Sequence, residues 1–450
     1  MHLIKDPIRK MHRIFLIISS YLNKVAITFN LPYVNAIIFF FNLKKLKVRY
    51  KKNCQKTILI LYRHDGVSDI KETYKNKSSP IKFYIFPRLL LKDIFNHFLK
   101  DSVNDYYYVD INDEEINKKK KQYFLYLKKI FIILKKFKKF HAILSFNIFY
   151  YAERELQRAS EDIKIKFLVI LKEGMSTKQV NKQLSWQLKN TADKFFGHKI
   201  ATYNILRKNM LIEAGIAKKK NIITIGVPRY DKIFKYSNNI QNRNSIVYFS
   251  LRKGGGFFNS GIEMPNKKYR FLKDKIPKTK YITEKKLNKI LEKNEKSMIS
   301  LLLGFANKNP SINVIIKYKT GAGNFFTKVY KKPSNMHFIF EGSGYKILEN
   351  CKVAIGFNTS ALYEAIVASC KVLVVGFNIN RKIHKDKLLD YFNKAEYVLN
   401  KENMKKKLDY FFNSYKLKRV RVDYKLKLLV GNLDGSAQKK LRQFLVKSVN

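Results

Sequence analysis

The feature that most constrains the fold of this chain is a regular alternation of short apolar runs with helical stretches. From residue 57 onward, runs such as TILILY (57–62) and FLVIL (167–171) alternate with amphipathic stretches such as residues 118–139. Continuous apolar runs are typical of strands buried on both faces of a parallel sheet, and their alternation with helices is typical of βαβ units. The pattern therefore predicts an α/β protein built from doubly wound, Rossmann-like sheets.

The alternation runs twice along the chain, and 450 residues exceed what one ordinary core accommodates. The polar run YSNNIQNRN (236–244) is the candidate linker. Ligands of such sheets bind beyond the carboxyl ends of the strands, which predicts a site in the cleft between two domains. The predicted segments are a helical, basic N-terminal extension (1–50), a first Rossmann-like domain (51–240), a second Rossmann-like domain (245–433) and a closing helix (434–450).

A formal net charge of +57 suggests an anionic partner, and nucleic acid is the first class to weigh. Only 16 of the 91 basic residues are Arg, the residue that reads phosphates and base edges bidentately. Lys, Ile, Asn, Phe and Tyr are abundant throughout, which indicates a general compositional bias. We therefore attribute the charge first to solvated surface, second to attraction by an anionic membrane face, and least to nucleic acid.

The three cysteines, Cys54, Cys351 and Cys370, form no C-x-x-C pair. This spacing predicts reduced thiols in a compartment such as the cytoplasm, without a structural zinc site, and Cys351 and Cys370 flank predicted core strands and are expected to be buried. Residues 1–50 hold neither a membrane-spanning run nor a cleavage site for secretion. Two interpretations of this basic, aromatic extension stay open: it lies on a membrane surface, or it packs as helices on the first domain.

The most informative stretch is VAIGFNTSALYEAIVASCKVLVVGF (353–377), which reads as strand, polar turn, helix and strand. Asn358, Thr359 and Ser360 are good helix N-cap residues, and a helix N-terminus favours phosphate. Glu364 lies one turn into this helix, where its carboxylate can accept hydrogen bonds from ribose hydroxyls. The alternative is an ordinary capped helix with an exposed Glu364.

Two further motifs follow predicted strands of the first half. In GVPRYD (226–231), Arg229 can either clamp a phosphate or form an ion pair with Asp231. In YRHDG (62–66), His64 and Asp65 are candidates for the general base that deprotonates an acceptor hydroxyl. Gly66 then permits a tight turn, and the alternative is a polar loop with a surface histidine.

Three other candidates also stand at predicted strand ends. Glu173 can act as a base or bind an acceptor, and Lys317 or Lys319 can neutralise a donor diphosphate. The run Gly254–Gly256 has neither the Lys-Ser/Thr ending of a P-loop nor the spacing of a dinucleotide fingerprint. No D-x-D arrangement indicates a metal site, so neither a metal nor a cofactor is expected.

The motifs GVPRYD and FNTSALYEAI resemble those of bacterial GT-B transferases of surface-polymer synthesis. The similarity is to CDP-glycerol glycerophosphotransferase-like proteins and to surface carbohydrate biosynthesis proteins. Those carry a G-x-P-R-x-D element that ends the first domain, and a Ser/Thr-rich turn with an acidic helix residue in the second. The run LDGSA (433–437) is similar to the end of many GT-B chains, whose last helix returns to the first domain. The resemblance covers roughly residues 57–448.

This resemblance implies an acceptor-binding first domain and a nucleotide-binding second domain. It implies that Asn358, Thr359 and Ser360 hold the donor phosphates, that Glu364 contacts the donor's sugar, and that Arg229 lies at the domain junction. The glycerophosphotransferases carry a K-x-H-P element where this chain has KYKT (317–320), without His or Pro. That departure favours a nucleotide sugar as the donor.

We therefore expect a cytoplasmic, glycosyltransferase-like enzyme of cell-surface or capsule polysaccharide synthesis. It would transfer a sugar from a nucleotide-activated donor, as substrate, to a saccharide or lipid-linked acceptor, with a peripheral place on the membrane as a further expectation. His64, Asp65 and Glu173 match no motif of the resembling family. The alternatives are a polyol-phosphate transferase, a nucleotide-sugar 2-epimerase, and a non-catalytic basic scaffold on a membrane or nucleic acid.

Overall fold

The chain contains two β-sheets, one in each half. The computed structural model describes residues 7–100, 114–172, 185, 189, 194–236, 240–251, 284–319, 331–342, 344–377 and 394–450. A seven-stranded sheet lies in the first half and a six-stranded sheet in the second. With two helices in the N-terminal extension, the prediction of two doubly wound α/β domains behind a helical extension is confirmed.

The first sheet has the strand order β1-β3-β2-β4-β5-β6-β7, and only the pairing of β1 with β3 is antiparallel. Alternate residues of β2 enter different hydrophobic clusters: Ile58 and Ile60 one, Leu59 and Leu61 the other. Both faces of the sheet are thus covered, as its continuous apolar runs require. Its strands are β1 (Lys44–Lys45), β2 (Lys56–Leu61), β3 (Ile81–Phe86), β4 (Ala142–Ser145), β5 (Lys166–Leu171), β6 (Lys199–Thr202) and β7 (Ile222–Thr224).

The second sheet is wholly parallel, with the order β10-β9-β8-β11-β12-β13. In the central register, Val247 of β8 lies opposite Ile315 of β9 on one side and Ala354 of β11 on the other. The strands are β8 (Ser245–Phe249), β9 (Asn313–Lys317), β10 (Met336–Ile339), β11 (Cys351–Gly356), β12 (Lys371–Val375) and β13 (Ala395–Val398).

Helices cover the sheets and connect their parallel strands. One face of the first sheet belongs to the same hydrophobic cluster as the second domain, so apolar packing is continuous between the two. No helix among the described residues combines the length and apolarity needed to cross a bilayer. The helices are α1 (Pro7–Thr28), α2 (Pro32–Phe41), α3 (His64–Thr73), α4 (Arg88–Leu99), α5 (Glu114–Phe137), α6 (Arg154–Asp162), α7 (Ile205–Glu213), α8 (Tyr230–Lys235), α9 (Glu284–Lys308), α10 (Ala361–Val367), α11 (Lys401–Asn413), α12 (Tyr424–Val430) and α13 (Ala437–Val449).

The last helix, α13, packs against α3, α8 and the strands β5 and β6 of the first domain. The Asp231 carboxylate of α8 accepts hydrogen bonds from the backbone N–H groups of Ala437 (3.2 Å) and Gln438 (2.8 Å). A carboxylate at this position satisfies amides that a helix start leaves unpaired. The Arg442 guanidinium, near the middle of α13, donates to the Thr73 carbonyl at 3.0 Å, so both the start and the middle of this helix contact the first domain.

The structure differs from the sequence interpretation at the end of β2. The predicted tight turn at Gly66 is wrong, because His64 begins α3 and Gly66 lies inside this helix. A Cβ atom on Gly66 would lie 2.2 Å from the Phe146 ring, so glycine lets the helix pack closely on that ring. Helices α4 and α12 and strand β13 were not predicted.

The segment that leads into α13 meets the first domain backbone to backbone at Gly431. Gly431 has φ 80° and ψ −175°, a region open almost only to glycine. A Cβ there would lie 2.8 Å from the Tyr203 carbonyl oxygen and 2.9 Å from the Gly226 Cα. We expect Gly431→Ala to cost about 3 kcal/mol of stability, measured as a lower Tm and denaturation midpoint.

Gly435→Ala is the matched control for this prediction. Gly435 also has a positive φ, 72°, but nothing lies within 4 Å of an added Cβ. Its substitution should cost only the backbone strain, about 1 kcal/mol. Equal losses in the two variants would show that the close approach at Gly431 adds nothing to the stability of this junction.

Candidate functional site

Arg229 bridges the two domains through two carboxylates. It follows β7 at the start of α8, and its guanidinium Nη1 donates to the Asp69 carboxylate of α3 at 3.1 and 3.3 Å. Its Nε donates to Glu364 Oε1 of α10, in the second domain, at 2.9 Å. Asp69 also accepts a hydrogen bond from the Tyr203 hydroxyl. The carboxyl-end segments of β2, β6, β7 and β11 thus meet at one ionic cluster.

This cluster is largely withdrawn from water, which strengthens its electrostatic interactions. The side chains of Asp69, Glu364 and Arg229 are 3%, 14% and 21% exposed. Burial raises the pKa of Glu364, against the opposing effect of Arg229. Burial alone would lower the pKa of Arg229, but the carboxylates of Asp69 and Glu364 raise it, so the guanidinium stays charged.

The alternative in which Arg229 pairs with Asp231 is wrong. Asp231 instead caps α13. Arg229 contacts the first-domain helix α3 and the second-domain helix α10. Pro228 precedes both residues, and its carbonyl accepts from the Gln438 side chain at 3.3 Å. The GVPRYD element therefore holds three distant segments at once.

His64 and Asp65 lie in the first turn of α3, at the carboxyl end of β2. His64 Nδ1 is 3.3 Å from Asp65 Oδ1, and Lys172, after β5, donates to Asp65 Oδ2 at 3.1 Å. Partial burial would raise the pKa of Asp65, but Lys172 and His64 lower it to about 2. Asp65 is therefore a carboxylate at neutral pH and favours the His64 tautomer that carries its proton on Nδ1.

The first-domain and second-domain candidates lie within electrostatic reach of one another. Burial is the main cause of the raised pKa of Glu364, and the negative charges of Asp69 and Asp65 raise it as well. The His64 and Asp65 side chains are 71% and 67% exposed, so this end of α3 is open to solvent. The arrangement brings an open histidine–carboxylate pair close to the buried ion bridge.

The turn before α10 combines a strained residue with polar side chains. Asn358 is buried with φ 45°, a left-handed conformation that asparagine tolerates, and Thr359 and Ser360 follow it towards the surface. The Thr359 hydroxyl accepts from the Ala361 amide at 3.4 Å, whereas the Ser360 side chain forms no cap bond. Glu364 Oε2 accepts no hydrogen bond from the described residues.

Of the remaining predicted site residues, one is buried, one is exposed and the others lie outside the described part of the chain. Lys317 ends β9 and is buried; its ammonium donates to the Tyr318 carbonyl at 2.8 Å, and burial lowers its pKa. Lys319 is exposed two residues later. Glu173 and the glycine run 254–256 lie outside the described residues.

Sequence reasoning missed a second polar cluster at the carboxyl edge of the first sheet. The Tyr150 ring lies 3.8 Å from the Arg88 guanidinium carbon and 5.2 Å from that of Arg63, and its hydroxyl accepts from Arg63 Nε at 2.8 Å. Arg88 Nε donates to the buried Glu153 at 2.5 Å, and the Ser145 hydroxyl donates to the same carboxylate. The cluster holds two guanidinium groups against one tyrosine ring, and Arg63 directly precedes His64 in the chain.

It also missed Asp69 and the buried Glu295. Asp69 lies one helical turn after Asp65, a relation that becomes visible only once α3 is assigned as a helix. Glu295 of α9 accepts from the Tyr248 hydroxyl, the Ser250 hydroxyl and the Leu251 amide at 2.6, 2.6 and 3.0 Å. It fixes the start of the segment that follows β8.

Comparisons with known proteins give fold-level similarity only. No family model and no curated protein matches the sequence. Three of the similar solved structures are UDP-GlcNAc 2-epimerase from Methanocaldococcus jannaschii (12% identity, 87% of this chain and 99% of that chain, TM-score 0.44), the wall teichoic acid polymerase TagF (10%, 96% and 97%, 0.49) and UGT89C1 from Arabidopsis thaliana (10%, 88% and 99%, 0.42). The fold assignment rests on the chain's own sheet topology, because these identities and scores are low.

The ion bridge yields a stability prediction. Arg229→Ala leaves the Asp69 and Glu364 carboxylates together without their cation, and breaking a buried pair in this way costs about 3–5 kcal/mol. Burial already raises the pKa of Glu364, and the loss of the opposing Arg229 charge should raise that pKa further. The stability contributed by a carboxyl with a raised folded-state pKa is lost as the pH rises through that pKa, so the loss of Tm should be larger at pH 8 than at pH 5.

Lys406→Ala provides the matched control. Lys406 pairs with Glu402 at 3.3 Å, but these side chains are 77% and 80% exposed. Its removal should change stability by less than about 0.5 kcal/mol, with no such dependence on pH. A Tm deficit in Arg229→Ala that is small and equal at both pH values would contradict the bridge as a stabilising element.

Proposed function

We propose that this protein is a GT-B-type glycosyltransferase that moves a sugar from a nucleotide-activated donor to an acceptor in cell-surface polysaccharide synthesis. The observation that carries the proposal is the Arg229 bridge, which joins helices at the carboxyl ends of both parallel sheets. That edge is where doubly wound domains bind their ligands. The donor is a substrate in this proposal, which includes no cofactor or metal.

On the second domain, Glu364 is assigned to the ribose of the donor. Arg229 holds Oε1, which leaves Oε2 as an acceptor for ribose hydroxyls from a carboxylate fixed in position. The backbone amides of the turn at Asn358, Thr359 and Ser360 are assigned to the donor phosphates. Because α10 is only seven residues long, the phosphates would be held mainly by the backbone N–H groups of the left-handed turn and less by the helix dipole.

On the first domain, His64 is assigned as the general base. With Asp65 accepting from Nδ1, its Nε2 is free of a proton and takes the proton of the acceptor hydroxyl. The hydroxyl oxygen then bonds to the anomeric carbon of the sugar, and the bond from that carbon to the diphosphate breaks. Lys319, and Lys317 if its ammonium turns from the Tyr318 carbonyl, would neutralise the departing diphosphate.

The acceptor is assigned to the carboxyl edge of the first sheet, as a saccharide or a lipid-linked saccharide. Arg63 and Arg88 lie there against Tyr150, which offers an apolar and hydrogen-bonding surface. Glu173 stays a candidate for binding the acceptor or for the base. We place the enzyme in the cytoplasm, next to the membrane at which such acceptors are assembled.

A thermal-shift screen tests the donor assignment. We expect one of UDP, CDP, GDP or CMP, or its sugar or glycerol conjugate, to raise Tm, by the equivalent of about 2.7 kcal/mol at 100 times Kd. Glu364→Gln should abolish the shift while the protein stays folded, since the amide still offers Arg229 an oxygen. Glu396→Gln is the control: it alters a second-domain carboxylate that is paired with Lys371 and Lys407.

The screen also separates the alternatives. Selective stabilisation by CDP-glycerol, with turnover of it, would replace the glycosyltransferase by a polyol-phosphate transferase. Conversion of a free UDP-sugar without an acceptor would replace it by a 2-epimerase. No shift with any nucleotide would overturn nucleotide chemistry and favour a basic scaffold.

A substitution of His64 tests the base. With the donor identified by the screen, His64→Ala should lower kcat about 10²- to 10⁴-fold while the nucleotide thermal shift stays unchanged. The control is His97→Ala, which removes an exposed histidine of the first domain on α4. Full activity of His64→Ala would transfer the role of base to another residue, with Glu173 next to be tested.

A further inference from the structure

Helix α1 directs polar side chains, together with Ala26 and Ile27, into the protein and large apolar side chains outward. On the inner face, Ser20 donates to the Asp93 carboxylate of α4 at 2.7 Å, and Asn23 donates to the Leu90 carbonyl at 3.0 Å. Asn35 of α2 donates to Asn23 Oδ1 at 2.7 Å. These buried, hydrogen-bonded groups fix which side of the helix faces the domain.

The outer face of α1 consists of large apolar side chains. Its members are between 38% and 67% exposed: Phe15, Ile17, Ile18, Tyr21, Leu22 and Val25. We call these six residues the outer face. An amphipathic helix on a water-soluble domain normally buries this side, and a contiguous apolar surface of this kind marks an interaction site.

The exposed apolar surface continues beyond α1. Phe29 in the connecting loop and Tyr33 and Phe41 of α2 are 69%, 56% and 68% exposed. Tyr33 packs edge-on against Phe137 of α5, itself 40% exposed, with ring centroids 6.1 Å apart. The surface therefore spans a helical pair supported from below by α4 and α5.

The charge around this surface identifies its partner. The first fifty residues contain nine Lys or Arg and a single acidic residue, Asp6. Lys44, Lys45, Lys47 and Arg49, which follow α2, are all exposed. Each basic residue near an anionic bilayer contributes about 1 kcal/mol of attraction. A second copy of the chain is disfavoured, because a two-fold interface would place like charges against each other.

We propose that α1 and α2 form a docking surface for an anionic lipid bilayer, with the outer face buried at the level of the headgroups. The helix pair lies flat on the membrane, because its inner side is held by the first domain. Lys44 and Lys45 then contact lipid phosphates beside the apolar surface. This inference is independent of nucleotide binding.

Vesicle co-sedimentation of the full chain tests the proposal. We expect binding to vesicles of phosphatidylcholine with phosphatidylglycerol, and at least about tenfold weaker binding to phosphatidylcholine alone. The triple substitution Phe15→Ser, Ile18→Ser and Leu22→Ser should weaken binding to the anionic vesicles by at least about tenfold. The double substitution Lys44→Glu and Lys45→Glu should also weaken binding to the anionic vesicles, and this loss should be larger at low salt than at high salt.

The matched control is Leu399→Ser, Tyr410→Ser and Tyr424→Ser, which removes three exposed apolar side chains from the second half of the chain and should leave vesicle binding unchanged. An unchanged Tm of the α1 variant would show that its fold is intact. Three results would overturn the proposal: wild-type protein that stays in the supernatant with both vesicle types, equal binding by the α1 variant, or a dimer in light scattering that this variant converts to monomer.

Discussion

The relation between the two domains depends on the Arg229 guanidinium and the two carboxylates that it joins. A cation with this little access to water needs both partners, because either carboxylate left alone would be a buried, uncompensated charge. Asp69 and Arg229 belong to the first domain and Glu364 to the second. Any opening of the cleft must therefore break the Arg229–Glu364 contact, while the Arg229–Asp69 contact can persist within the first domain. The bridge couples domain closure to the position of the carboxylate that we assign to the donor.

The architecture could be predicted from the sequence because parallel strands buried on both faces leave continuous apolar runs, as in residues 57–62 and 371–375. The site was predictable only in part. Arg229 and Glu364 stood out because each follows a strand, but they are 135 positions apart and nothing in the sequence reports their contact. Asp69 was hidden because residues 63–66 contain polar groups and a glycine and so resembled a loop. In the structure this segment is the first turn of α3, and Gly66 lets it pack closely on Phe146, a tertiary contact.

Several of the scarce arginines occupy interior structural positions. Arg154, Arg207 and Arg243 are each 4% exposed, and Arg229 forms the bridge. Arg243, in the linker, donates to the carbonyls of Cys351 and Ala368 at 3.2 and 2.7 Å. A planar guanidinium with five donors suits such multiple contacts better than an ammonium does. A compositional preference for lysine can therefore change the surface greatly while the interior contacts still depend on arginine.

The return of α13 to the first domain has a consequence for the order in which the protein matures on the ribosome. Domains generally fold from the N-terminus as they emerge, yet the Asp231 carboxylate caps a helix that is synthesised only after the entire second domain. Until then, the α3 and α8 surfaces that α13 covers stay open to solvent. The nascent first domain is thus an unfinished structure for the whole time that the second is being made. Its completion has to wait for the synthesis of residues 437–449.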